Sequence, residues 1–100
     1  MNNPIQKLDK AFNNKIRLGI MSALAVNDFL DFKALKNLLE VTDGNLASHT
    51  SALEKLDYIQ ISKSFIGKKP NTKYVITSKG KKAFNSHLEG LEEIIKATSS

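Results

Sequence analysis

The run TDGNLASHTSAL, Thr42 to Leu53, places Gly44, Asn45, Ala47, Ser48, His49, Thr50 and Ser51 together, all small or able to hydrogen-bond. These residue types suit contact with a grooved polyanion. An asparagine amide can donate and accept in a bidentate contact with an adenine edge, and a serine hydroxyl can address several bases or a phosphate. A glycine at a helix start lets the backbone approach closely, where free N–H groups favour phosphate. Glu, Lys and Arg, which usually fill an exposed helix face, are missing from the run. The same residues are enriched at ordinary helix starts, so this run alone leaves both readings open.

A second feature tips the balance. The net charge is +5, and residues 1–57 contribute none of it, carrying seven Lys/Arg against seven Asp/Glu. Residues 58–82 hold Lys63, Lys68, Lys69, Lys73, Lys79, Lys81 and Lys82 with no acid, and residues 83–100 are acidic. A solubilising surface mixes signs, whereas a segregated cationic strip suits a polyanion. Lys63, Lys68, Lys69 and Lys73, with Asn71 among them, are candidate contacts. Ammonium groups on flexible stems suit phosphate more than base reading.

Hydrophobic spacing supplies the elements that position these residues. Ile5, Leu8, Phe12 and Ile16 recur every three or four residues, continued by Ile20, Met21 and Leu24. This predicts a helix over 5–26, with a jog near Asn13–Asn14 or Gly19. Phe29-Leu30 is read as a brief strand. Asp31 can cap a second helix over 31–39, with Phe32, Leu35, Leu38 and Leu39 inward. After a tight turn comes a third helix over 43–56, with Thr42 and Asp43 as capping types at its start, whose core positions are Leu46, Thr50, Leu53 and Leu56. At about 100° per residue, Gly44, Ser48, Ser51 and Lys55 face away from that core, flanked by Asn45 and Ala47. His49 falls on the rim, where packing, a local hydrogen bond and phosphate contact all fit, the last slightly favoured.

From residue 58 the period changes to two. Ile59 and Ile61 alternate with Gln60 and Ser62, Lys73 to Thr77 alternates again with Tyr74 and Ile76 inward, and Gly67 to Asn71 supplies turn chemistry. The result is a hairpin over 58–77, followed by a last helix over 78–97 with the stripe Phe84, Leu88, Leu91 and Ile95. Residues 98–100 are expected to fray. The fold class is mainly α with a small β-hairpin wing, a winged helix-turn-helix occupying 1–100 as one domain.

At these residues the sequence resembles the winged-helix transcriptional regulators of the MarR/ArsR-like superfamily. The resemblance rests on Thr42-Asp43-Gly44-Asn45-Leu46-Ala47-Ser48-His49 at the recognition helix and Tyr74-Val75-Ile76-Thr77-Ser78-Lys79-Gly80 after the wing, and it spans nearly the whole chain. It implies a dimeric regulator binding a roughly palindromic operator. Two departures stand out: Thr50 replaces the family's usual Leu, and lysines stand at the wing tip where an arginine often enters the minor groove.

The stripe of the last helix, with Ile5, Leu8 and Phe12, exceeds what a core of the second and third helices plus hairpin requires. The terminal helices are therefore expected to pair across a two-fold axis as a homodimer. No cofactor and no metal are expected, because two lone histidines without cysteine give no ligand spacing. No Ser/His/Asp or Cys/His set or Gly-rich phosphate loop points to an enzyme. No apolar run approaches membrane length, and the absence of cysteine fits a reducing cytoplasm. The expected partner is double-stranded DNA. An unknown small-molecule effector has room between the terminal helices and the winged domain, though no residue set announces one. The competing reading is a winged-helix protein-interaction module for an acidic partner.

Overall fold

In chain order the protein forms two 3-10 turns, Pro4–Lys7 and Lys10–Phe12, then α1 (Lys15–Ala25), β1 (Leu30–Asp31), α2 (Phe32–Leu39) and α3 (Asp43–Lys55). The strands β2 (Ile59–Ile66) and β3 (Lys69–Ile76) follow, and α4 (Ser78–Thr98) ends the chain. This computed structural model describes residues 3–99, the side chain of Thr98 excepted. Of the three residues expected to fray, Thr98 is helical, Ser99 caps α4 and Ser100 lies outside the described residues. No helix among the described residues is long and apolar enough to cross a membrane.

The helix expected over 5–26 is continuous only from Lys15 to Ala25. Three side-chain caps cut the rest. Asn3 Oδ1 accepts from the Ile5 N–H at 3.1 Å, and Asp9 Oδ1 accepts from the Ala11 N–H at 2.9 Å. Asn14 Oδ1 takes the N–H groups of both Ile16 and Arg17, at 2.9 and 3.1 Å. Short amide and carboxylate side chains compete with the helix ladder in this way, and each cap begins a new piece. The three-and-four spacing of Ile5, Leu8, Phe12 and Ile16 thus does not mark one rod: Phe12 is buried, Leu8 and Ile16 are half-buried and Ile5 is exposed.

This folding-back changes the fate of two residues expected at a dimer interface. Phe12 and Phe84 are both buried, with ring centroids 5.9 Å apart and planes nearly perpendicular. They meet each other inside the chain and are not offered to a partner. Leu8 also turns inward, toward α4: a Cβ added to Gly90 would stand 3.1 Å from its Cδ2 and 2.9 Å from the Pro4 carbonyl oxygen. Lys7 completes this clasp with a 2.6 Å ion pair to Glu93.

Ile20, Met21, Leu24, Leu35, Leu46, Leu53 and Ile59 form the fully buried centre, joining α1, α2, α3 and the sheet. Leu56, expected among them, is 41 % exposed because α3 ends before it and Leu56 serves as its C-cap. Asp57 then takes a left-handed φ of 62°, which turns the chain into β2. The sheet is antiparallel in the order β1-β3-β2, with Leu30 opposite Tyr74 and Ile59 opposite Ile76.

The wing turn is tighter than the expected Gly67–Asn71 segment. Ile66 pairs with Lys69, leaving only Gly67 and Lys68 in the loop. Gly67 has φ +64°, the left-handed value that a two-residue hairpin turn demands at its first position. Pro70 and Asn71 lie within β3, beyond the reach of the two-residue β1, so the missing N–H of Pro70 faces an open edge.

Candidate nucleic-acid interface

Thr42 Oγ1 accepts from the Asn45 N–H at 3.1 Å, satisfying one of the free donors at the start of α3. Asp43 would oppose an approaching phosphate, but its carboxylate is ion-paired to Lys36 at 2.6 Å. Gly44, Asn45, Ala47 and Ser48 are exposed, and Ser51 is half-buried. A Cβ added to Gly44 would meet nothing within 4 Å among the described residues, so no packing demand there explains the glycine.

Behind this face α3 is held firmly. Leu46, Thr50 and Leu53 are buried. Thr50, the residue that departs from the family pattern, donates its hydroxyl hydrogen bond to the Leu46 carbonyl at 2.8 Å. It also stands against the Tyr74 hydroxyl, whose pKa burial pushes up while the Thr50 contact moderates the rise. A hydroxyl satisfied within its own helix can sit in a core at modest cost, which is how threonine fills a leucine position here.

Two depressions flank the helix. On the wing side, Ala47, Ser51, Glu54, Lys63, Thr72 and Tyr74 line a groove of about 510 Å³. On the other side, Lys15, Ile16, Glu40, Thr42 and Asn45 line a cleft of about 430 Å³. Lys15 therefore lies beside the start of α3. His49 turns toward α1, where its Nδ1 accepts a hydrogen bond from Arg17 Nε at 3.1 Å. Sequence reasoning did not single out Lys15 or Arg17. The available signal was that Arg17 is the sole arginine of a lysine-rich chain.

The cationic strip is divided by the fold. Lys63, Lys68 and Lys69 are exposed along the outer wing and have no carboxylate at ion-pair distance among the described residues. Lys73 is instead half-buried, its Nζ 4.5 Å from the centre of the Phe29 ring at the sheet's β1 edge. Asn71, also half-buried, sits opposite Ser64. Lys79, Lys81 and Lys82 belong to the first turns of α4, at the foot of the wing, with Lys79 Nζ 5.9 Å from the Tyr58 ring.

His87, the second histidine, is buried at the junction of α4 and the N-terminal arm. Its Nδ1 accepts from the Asp9 N–H at 3.0 Å, while the Asp9 carboxylate accepts from the Tyr58 hydroxyl. Burial, then the Asp9 bond and charge, push the Tyr58 hydroxyl up to about 12. This network ties arm, α4 and the end of α3 together and leaves the outer face of α3 free.

Comparison with known proteins agrees with this geometry. A family model described as a winged helix DNA-binding domain matches residues 16–95. An uncharacterized protein of Methanocaldococcus jannaschii, MJ0432, is 33% identical over 87 residues, covering 87% of this chain and 95% of its own length. The solved structure of a transcriptional regulator homologue from Pyrococcus horikoshii OT3 superposes with a TM-score of 0.86 at 28% identity, covering 99% of this chain and 100% of that one. The fold is also that of Sco3205, a MarR family transcriptional regulator from Streptomyces coelicolor solved in complex with DNA. There the TM-score is 0.68 at 15% identity, over 95% of this chain and 66% of that chain.

Proposed function

The chain belongs to the winged helix DNA-binding domain family, and from that premise we propose that it is a sequence-specific regulator of transcription, acting as a repressor by occluding promoter DNA. In this reading α3 enters the major groove, about 12 Å wide, with Asn45 and Ser48 toward base edges and Gly44 at the closest backbone approach. Thr42, His49 and Ser51 border the same face. Lys63, Lys68 and Lys69 engage phosphates along the wing, with Asn71 and Lys73 nearer the sheet.

The observation that carries the reading is the first turn of α3. Gly44, Asn45 and Ser48 are exposed, and the Asn45 and Ser48 side chains make no hydrogen bond among the described residues. Leu46, Thr50 and Leu53 hold the opposite side of α3 in the core, so the short outer face is what remains for an external groove. The uncompensated wing lysines supply the non-specific attraction such a face needs.

The protein acts as a homodimer in this proposal. Ile5, Leu88, Leu91 and Ile95 are 57, 43, 39 and 66 % exposed, an apolar strip on the N-terminal arm and α4. Pairing two copies through it would set two recognition helices about 34 Å apart, one turn of DNA. A monomer in sedimentation at tens of micromolar, a concentration we choose for the test, would remove this part of the proposal.

Selection from random duplexes by the purified protein tests the whole. A single enriched, two-fold symmetric motif is expected; no enrichment would reduce the protein to a non-specific binder. In the same assay Lys68→Ala with Lys69→Ala should weaken selected and random duplexes alike and flatten the log–log salt slope by about two units.

A further inference from the structure

The side of α3 away from the wing carries a cation that the wing-centred picture leaves out. Arg17 is the only arginine in the chain. It is half-buried, and no carboxylate pairs with it among the described residues. A partly buried guanidinium normally acquires an acid, because desolvating an uncompensated charge is costly. Here its polar neighbour is an imidazole: Arg17 Nε donates to His49 Nδ1 at 3.1 Å.

That contact has a directional consequence. A ring nitrogen that accepts an N–H carries no proton, so the hydrogen bond does not neutralise the guanidinium; it only aims it. With Nε occupied, the two terminal nitrogens and their four N–H donors are left in a planar fork, the geometry that matches a phosphate bidentately. Asn45, one helical turn before His49, lines the cleft on this side together with Lys15, and the His49 contact brings Arg17 to the same side of α3, the flank along which a DNA strand would pass in the reading above.

We infer that Arg17 is a phosphate clamp on the side of the recognition helix opposite the wing, and that His49 is its positioning residue. The ligand is the phosphodiester backbone of the strand across the groove from the wing. This inference rests on the DNA-binding reading above and adds to it a second line of phosphate contacts. It also assigns His49 a role in aiming a neighbour, in place of direct contact.

The test is binding of the selected duplex and of a random duplex, measured against salt concentration. Arg17→Gln keeps an amide N–H able to reach His49 but removes the charge. It should weaken both duplexes and reduce the salt slope by about one unit, with the thermal midpoint held. His49→Ala should lose most of the affinity that Arg17→Gln loses, and should lose nothing more when introduced into Arg17→Gln. His49→Gln, whose amide oxygen can accept from Nε, should recover part of the loss.

An Arg17→Gln protein with an unchanged slope overturns the clamp. A His49→Ala effect of equal size with and without Arg17 overturns the positioning role. Should Arg17→Gln fail to fold, Arg17→Lys decides: it keeps the charge and slope but, lacking Nε, should be insensitive to His49→Ala, and a retained sensitivity counts against the proposal. The wing variant Lys68→Ala with Lys69→Ala separates the two levels. If it flattens the slope and Arg17→Gln does not, only the Arg17 assignment fails. If the unmodified protein shows no salt-dependent binding, the DNA-binding reading itself fails.

Discussion

The starts of α3 and α4 are written in nearly the same grammar and end in opposite situations. Each opens on a threonine that caps the helix: Thr42 Oγ1 accepts from Asn45 N–H at 3.1 Å, and Thr77 Oγ1 from Gly80 N–H at 2.9 Å. Each has a glycine in its first turn. A Cβ on Gly80 would stand 2.1 Å from the Tyr58 carbonyl oxygen, whereas a Cβ on Gly44 would meet nothing within 4 Å. Gly80 exists because another part of this chain passes there. Gly44 has no such neighbour among the described residues, and the close approach it permits is left for something outside.

The sharpest way to break this contrast is Gly80→Ala. The clash is with backbone, which cannot swing aside, so α4 must shift and the Thr77 N–H bond to the same carbonyl, 3.0 Å long, must stretch. A loss of about 3 kcal/mol or more in unfolding free energy is expected from chemical denaturation. A loss below about 1 kcal/mol would mean that the first turn of α4 yields easily, and the two glycines would then differ less than their surroundings suggest.

On the α3 side the expected effect moves from stability to recognition. Asn45→Ala removes an exposed amide with no side-chain hydrogen bond among the described residues, so denaturation should change by no more than about 0.5 kcal/mol. Binding to the selected duplex should weaken by roughly 1–3 kcal/mol, with preference relaxed at one base pair, as repeated selection with the variant would show. Equal weakening on random duplexes would move Asn45 from base edge to phosphate.

The contrast also explains what could be read from the sequence. Alternation and three-four spacing located α2, α3, the hairpin and α4, because those patterns record which side of each element meets the core. For residues 5–14 they gave the wrong rod, and placed Ile5 with Phe12 although Ile5 is exposed and Phe12 buried, since spacing cannot distinguish a helix from capped 3-10 pieces. Asn3, Asp9 and Asn14 held that information as local hydrogen-bonding competence. Phe12 and Phe84 were misplaced at a dimer interface for the same reason: a straight first helix leaves them spare, and a folded arm buries them together. Arg17 was overlooked because its contact with His49 spans 32 positions, and no periodic pattern encodes that. Thr50, which departs from the family's usual Leu, keeps its expected core position because its hydroxyl bonds the Leu46 carbonyl, a contact that no spacing pattern encodes.

A smaller test probes the ground beneath Gly80. Tyr58 supplies the carbonyl that Gly80 meets and gives its hydroxyl to Asp9. Tyr58→Phe should cost about 1 kcal/mol near neutral pH. Burial, followed by the Asp9 bond and charge, raises the Tyr58 pKa to about 12 in the folded protein. Unfolded tyrosine titrates near 10, so the unfolded chain releases this proton first. The stabilising share of Tyr58 is complete below about pH 10 and is lost as pH climbs toward the folded value. The stability gap between parent and Tyr58→Phe should therefore shrink from about pH 9 to about pH 11, and a constant gap would place the hydroxyl outside the network.

Gly44→Ala carries the smallest energy and the clearest sign. Alanine is the better helix former by roughly 0.5–1 kcal/mol in a helix interior, less in a first turn, and here the new methyl group enters open space. The variant should be as stable as the parent or slightly more so, the reverse of Gly80→Ala. If α3 approaches DNA closely at this point, the same methyl group occupies the gap between backbone and groove, and affinity for the selected duplex should fall while stability does not. Stability and binding moving in opposite directions is the signature of a glycine kept for a contact outside the chain. Unchanged binding would mean that the groove meets α3 farther along, at Ser48 or Ser51, and that the open space above Gly44 stays open in the complex.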